Sequence, residues 1–231
     1  MHEALLLEGA MVARLPGGGR VLFTTRRHGN LSTAAGVDCE HGAERREQLA
    51  RDLGLRRLCA SRQVHGARVN TVTMLDAQGA AALDMDADGH VTALERVGVA
   101  VLGADCMLVA VGCESAVGMI HAGWRGLAAG ILEEGVRAVR ELGGDAPLGA
   151  VIGPCAGSCC YEVGPEVHEA LGGPPRRGPI DLRAIARRRL LGAGAGDVQD
   201  VDACTICDER FFSHRREQAQ AGRQAGIAWL S

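Results

Sequence analysis

Three short stretches of the chain each set a metal-capable or nucleophilic side chain beside glycine, where an apolar run ends. They are Gln63-Val64-His65-Gly66, Ala104-Asp105-Cys106 and His121-Ala122-Gly123-Trp124-Arg125-Gly126. Strand ends project into clefts, and glycine lets backbone approach a ligand closely. The three stretches lie far apart in the chain, so only the fold can bring them together; no local zinc knuckle is implied. Two imidazoles and one thiolate would make a three-ligand zinc site with one coordination position open, the pattern of a catalytic rather than a structural zinc. The same residues admit two further readings. Cys106 can be a small buried hydrophobe with each His held by ordinary hydrogen bonds, or it can be a nucleophile with His121 as its base, as in cysteine hydrolases. Residue types alone leave all three open.

Other groups stand near these. Trp124 to Gly126 begin a helix, where free N–H groups, the helix dipole and the Arg125 guanidinium can converge on an anion such as phosphate. The alternative places Arg125 at the surface and Trp124 in the core. Asp105 should point to the strand face opposite Cys106, as a structural or supporting carboxylate rather than a base. Cys204-Thr205-Ile206-Cys207 is a lone CxxC, read as two ordinary thiols rather than a redox or metal pair. His214, Arg215 and Arg216 either reach an anion or form a solvated face. The zinc nucleobase-deaminase signature is absent, since Cys159 follows Pro154-Cys155 at one residue too long a spacing and no His-x-Glu precedes.

The elements that must position these groups belong to one domain spanning residues 1–231. Hydrophobic residues make up 47% and charged residues 23%, which fits a folded globular chain. A net charge of −3 offers no basic excess for a polyanion, so small molecules are the expected partners rather than nucleic acid or membrane. All 25 basic residues are Arg, which removes Schiff-base, phosphate-loop and kinase lysines at once. Nine cysteines, with too short an apolar run at Met1–Leu7 for a signal peptide, suggest free thiols in a reducing, cytoplasmic setting. The longest apolar stretch, Val97–Gly112, is broken by Asp105 and falls short of the ~18 residues of a membrane span.

Strands are expected at Val21–Thr25, Arg68–Thr73, Val97–Leu102, Met107–Val111, Ala116–His121, Ala150–Ile152, Val198–Asp202 and Ile227–Leu230. Helices are expected at Ala43–Leu53, Leu127–Leu142, Gly164–Leu171 and Asp181–Leu191, with a loop at Gly172–Gly178 and a polar stretch at Asp208–Gln224. Strands and helices mix without strict alternation, so an α+β arrangement is favoured over a Rossmann sheet.

The blocks QVHG, ADGHVT (Ala87–Thr92), GADC, HAGWRG, IGPC (Ile152–Cys155), CCYEVG (Cys159–Gly164), DLR (Asp181–Arg183), CTIC, FFSHRR (Phe211–Arg216) and GRQAG (Gly222–Gly226) resemble the laccase-domain family. Its members have been labelled polyphenol oxidases, purine nucleoside phosphorylases and peptidoglycan editing factors. The blocks run in order over nearly the whole chain. The resemblance implies an α+β fold layered α/β/β/α with mixed sheets, similar to the catalytic domain of cytotoxic necrotizing factor. It also implies one Zn2+ on His65, Cys106 and His121, which would carry catalysis. The implied reactions are phosphorolysis of adenosine, inosine, guanosine and methylthioadenosine, and hydrolytic deamination of adenosine.

Arg26, Gln63, Trp124 and Arg125 are the substrate-binding set expected from this reading, with purine nucleoside and phosphate as partners and a monomer as the assembly. Phe23–Ser32 carries one residue more than the family's TTR-x-G-G-V-S pattern, so Arg26 and Arg27 compete for one place. Thr33–His41 lacks the SLNLG-like stretch, and no contacts carry over there. Two alternatives are a Cu2+-dependent polyphenol oxidase, disfavoured by eight His with no HxH pair for a trinuclear centre, and an editing factor acting on cell-wall precursors.

Overall fold

The computed structural model describes residues 9–74 and 86–231, so the Met1–Leu7 stretch lies outside the described residues. In chain order the first strands are β1 (Met11–Arg14), β2 (Arg20–Phe23), β3 (Arg57–Cys59), β4 (Val69–Val72), β5 (Gly89–Thr92), β6 (Val97–Gly103), β7 (Met107–Gly112) and β8 (Val117–Ala122). The rest are β9 (Gly149–Ile152), β10 (Glu162–Val163), β11 (Gly178–Pro179), β12 (Asp197–Asp200) and β13 (Gln224–Trp229). The α-helices are α1 (Gly42–Asp52), α2 (Trp124–Ala128), α3 (Ile131–Gly143), α4 (Pro165–Ala170), α5 (Leu182–Gly192) and α6 (His214–Glu217).

Two mixed sheets result. One has the order β1-β2-β13-β6-β3, with only β3 and β6 parallel; the other has the order β12-β9-β7-β8-β5-β4, with parallel pairs at its two edges. Side chains alternate between faces along each strand, and the alternation assigns the layers. On β7, Leu108 and Ala110 enter a core shared with Val21, Phe23, Val99 and Ala228 of the other sheet, whereas Val109 and Val111 join the core under α3 and α5. On the far side, Leu22, Ala100, Ile227 and Trp229 pack against Leu49 and Ala50 of α1. The layers are therefore α/β/β/α. Both faces of the central strands are covered, which is why they are apolar throughout rather than alternating. The sheets approach closely at Gly226, where a Cβ would stand 2.8 Å from Met119 Sδ and 3.1 Å from Leu108 Cβ.

Several elements depart from expectation. The single helix expected over Leu127–Leu142 is two, α2 and α3, because Gly130 takes a left-handed conformation (φ 89°) and its N–H closes α2 on Leu127 O. Strands β1, β3 and β5, only three or four residues each, carry too few side chains for a period to show. Gly178, assigned to a loop, pairs with Val163 in a two-residue ladder. The last strand starts earlier than expected, at Gln224, whose buried amide exchanges two hydrogen bonds with the Phe212 backbone (2.8 and 3.1 Å). The expected polar stretch before it contains α6. No helix among the described residues is long and apolar enough to cross a membrane.

Phe23 is fully buried between the sheets. Phe23→Ala should lower unfolding free energy by about 3–5 kcal/mol, read as a drop in the urea midpoint at unchanged slope.

Candidate metal centre

The fold carries His65, Cys106 and His121 to one place: one donor atom from each lies within 4.8 Å of the other two. The His65 and His121 rings meet edge to face, with centroids 4.9 Å apart. His121 is the penultimate residue of β8, Cys106 lies in the turn between β6 and β7, and His65 lies in the loop after β3. Two of the three thus come from the ends of neighbouring strands in one sheet, and the third is brought over by a loop.

That loop is held by Asp88, a fully buried carboxylate just ahead of β5. Its Oδ2 accepts the N–H groups of Val64 (3.1 Å) and Gly66 (2.8 Å), and its Oδ1 accepts that of His65 (2.9 Å). The fourth bond comes from His121 Nδ1, 2.8 Å from Oδ1. A carboxylate has about four lone-pair sites, and all are taken. Burial would raise the Asp88 carboxyl, but the bonds from His121, Gly66 and Val64 outweigh it and hold it below the usual range. Since an ionised carboxylate only accepts, His121 carries its proton on Nδ1, and Nε2 is the nitrogen left for a ligand. The grip also holds His65 in a left-handed backbone conformation (φ 60°).

Cys106 is positioned by its neighbour. Asp105 is buried with φ 83°; its Oδ1 accepts the Thr205 hydroxyl and its Oδ2 the Arg215 N–H, both at 2.7 Å. The side chain is therefore spent on structure. Burial opposes ionisation of the Cys106 thiol, but His121 and His65 beside it bring its pKa down; burial likewise opposes the His121 cation, while Cys106 and Asp88 raise its pKa. The pair favours a thiolate.

Two imidazoles and a thiolate suit zinc, and the carboxylate behind His121 is the usual support for a metal-bound imidazole. Gly123 keeps the space clear: a Cβ there would stand 3.0 Å from Cys106 Sγ and 3.2 Å from the His65 ring. The residues present fit the metal.

The three donors line an open cavity of about 730 Å³. Gln63 lines it too, but its amide exchanges two 2.7 Å hydrogen bonds with the Leu102 backbone, tying the His65 loop to β6. The other three residues expected to bind substrate are not among the described residues lining it. Arg26 pairs with Glu217 at 2.5 Å, donates to Phe211 O and lies over the Phe212 ring; Arg27 is absent from the lining as well. Trp124 packs on the core, and the exposed Arg125 lies 4.3 Å over its ring. Their helix, α2, is only five residues long.

The cavity's cationic lining comes instead from Arg46 on α1, Arg62 and Arg223, and His214 lines it too. Arg62 is engaged by Asp86, whereas the guanidinium of Arg223 meets only the carbonyls of Ala221 and Gly222 among the described residues. Desolvation lowers the pKa values of both Arg46 and Arg223. Arg46 gave no sign in the sequence beyond lying on the polar face of an amphipathic helix. Arg223 sits inside the GRQAG block, and His214 inside FFSHRR. The role of Asp88 was equally hidden, although ADGHVT places an Asp-Gly pair at a strand start.

A family model described as multi-copper polyphenol oxidoreductase laccase matches residues 18–231. The chain belongs to this laccase-like family. Relatives in the family include a Xylella fastidiosa protein named purine nucleoside phosphorylase, 38% identical over 93% of this chain and 88% of that one. A Corynebacterium glutamicum protein of the same name is 34% identical over 91% of this chain and 94% of its own. Among solved structures, a Neisseria meningitidis protein superposes with a TM-score of 0.80 at 30% identity, covering 96% of this chain and 99% of that one. YlmD from Geobacillus stearothermophilus gives 0.78 at 28%, with 92% of each chain covered. The two solved structures thus share this chain's fold.

Asp88→Asn should weaken metal retention about 10- to 100-fold in a chelator competition, because the amide cannot accept all four hydrogen bonds. Asp105→Ala strands the Thr205 hydroxyl and the Arg215 N–H, and should cost about 1–3 kcal/mol in urea unfolding.

Proposed function

We propose that the chain is a zinc-dependent purine nucleoside phosphorylase. The observation that carries this reading is the meeting of His65, Cys106 and His121 within 4.8 Å on a cavity whose lining also holds Arg46 and Arg223. The relatives' name supports the same assignment. Zinc is favoured over copper by the donor set. The described residues hold two metal-capable groups, and neither has the many imidazoles of a trinuclear copper centre.

Zinc on these three residues would leave one position open and supply Lewis-acid stabilisation there. The chain's own groups do the rest. In phosphorolysis a phosphate oxygen forms a bond to the anomeric carbon while the bond to purine N9 breaks, and its electron pair leaves with the base. Positive charge builds on the ribose, so phosphate must already be held against it. Arg46 and Arg223 hold the phosphate in this scheme, since both are permanent cations and the guanidinium fork matches phosphate. The departing base needs a proton. Water in the open cavity can supply it; His214, the imidazole of the described lining outside the metal set, keeps its Nδ1 3.1 Å from Gln218 O, which leaves Nε2 as a hydrogen-bond acceptor for substrate. Asp88 orients His121 throughout, and Asp105 fixes Cys106.

Purified protein should release hypoxanthine from inosine and adenine from adenosine only when phosphate is supplied. Cys106→Ala should bring the rate to background. Base release that ignores phosphate, or that survives in Cys106→Ala, overturns the assignment. Ammonia release from adenosine measured alongside tests the deamination that the family resemblance implies. Arg223→Ala should raise the KM for phosphate about tenfold or more while leaving the KM for inosine nearly unchanged, as expected when a charge-assisted contact worth ~1.5–3 kcal/mol is lost.

A further inference from the structure

Away from the cavity, a second group of soft donors has no part in the proposed reaction. The sulfur atoms of Cys159, Cys160, Cys204 and Cys207 all lie within 4.8 Å of one another. Two chain segments supply them: the turn after β9 and the segment leading from β12 to α6. We propose that these four cysteines bind one structural Zn2+ as a tetrahedral all-thiolate site.

The geometry fits one ion. A tetrahedron with Zn–S bonds of ~2.3 Å has sulfurs about 3.8 Å apart. Cys207 Sγ stands 2.9 Å from Cys160 Sγ and 3.5 Å from Cys159 Sγ, so small side-chain rotations give the required spacing. A polynuclear iron–sulfur cluster distributes its thiolates over several irons and needs a wider cage. The backbone also reaches the sulfurs: Gly157 N–H donates to Cys204 Sγ at 3.2 Å. The turn at Gly157–Cys160, closed by Cys160 N–H on Gly157 O, sets two adjacent thiols on one side.

Glycine at 157 leaves room for the sulfurs. A Cβ there would stand 3.1 Å from Cys204 Cβ, 3.2 Å from Cys204 Sγ and 3.3 Å from Cys159 Sγ, filling the cradle. Binding releases four thiol protons and leaves a ZnS4 unit of charge −2. Arg216, ion-paired with Glu217 at 2.7 Å, braces the CxxC turn by donating to the Thr205 (2.8 Å) and Ile206 (2.9 Å) carbonyls.

The site would lock the segment that supports Cys106. Cys155 and Cys204 form an isolated parallel bridge between the two segments, and Thr205, inside the CxxC, holds Asp105. An ion at this position cross-links the two segments at the point where they brace the catalytic turn, much as a disulfide would, but in a reducing setting.

The test uses full-length protein purified under reducing conditions. Zinc per chain, measured by plasma mass spectrometry, should fall by one equivalent in the Cys204→Ser/Cys207→Ser double variant relative to wild type. Cys106→Ala should keep that equivalent, so this result is independent of what the His65 site holds. After exchange with Co2+ alone, the intense thiolate-to-cobalt charge-transfer absorption should persist in Cys106→Ala and vanish when Cys204→Ser and Cys207→Ser are added to Cys106→Ala. If the double variant does not fold, Cys159→Ser, at an exposed position, replaces it, with at least a tenfold faster loss of one zinc to a chromogenic chelator expected. Equal zinc content and equal cobalt spectra in wild type and variants overturn the proposal. So does a Cys160–Cys207 disulfide found by mass spectrometry in the reduced preparation.

Discussion

A single buried negative charge organises the centre. Asp88 has no exposed surface, and an isolated carboxylate there would cost many kcal/mol to bury. It is tolerated because four donors surround it, and those donors are the parts that must be placed: three successive N–H groups of the His65 loop and the ring of His121. One side chain therefore sets the path of a loop, the tautomer of one imidazole and the strained backbone of another. Two of the three donors are thereby fixed together.

The layers explain why the site forms where it does. Packing two sheets face to face commits every central strand to apolar residues on both sides, and leaves polar chemistry only at strand ends. The turn from β6 to β7 crosses from one sheet to the other, and Cys106 sits in that crossing. Arg46, reaching in from α1, belongs to one outer layer, while α2 and α3 follow His121 on the opposite side. The cavity is a seam between layers. Its walls come from elements distant in sequence, and its cations arrive from loops and helix faces rather than from the helix terminus next to His121.

How much of this could be read from residue order follows from the same physics. The three donors were visible because each stands beside glycine at the end of an apolar run, a local pattern. The buried strands Val97–Gly103, Met107–Gly112 and Val117–Ala122 were visible because they are apolar throughout. The break at Gly130 was hidden, since an Ala-Ala-Gly stretch inside an apolar stripe reads as continuous helix until the backbone of Gly130 is known. Arg125 drew attention through its position at a helix start, yet its guanidinium stacks on its neighbour Trp124. Arg46 and Arg223, which do line the cavity, carry no local mark. The four clustered thiols fell between the two cases: the CxxC was legible, but Cys159 and Cys160 join it only through a bridge between distant segments.

The position of the final strand carries a consequence for how the molecule is made. β13 does not sit at an edge; it lies between β2 and β6, in the middle of the five-stranded sheet. During synthesis, β2 and β6 leave the ribosome long before the strand that must separate them, and for that interval each presents an unpaired edge. Asp105 likewise waits for Thr205 and Arg215 before its carboxylate is satisfied. Such non-local pairing makes for slow folding, with the chemistry assembled last. Until the last strand is made, the β2 and β6 edges that flank it stay without their partner.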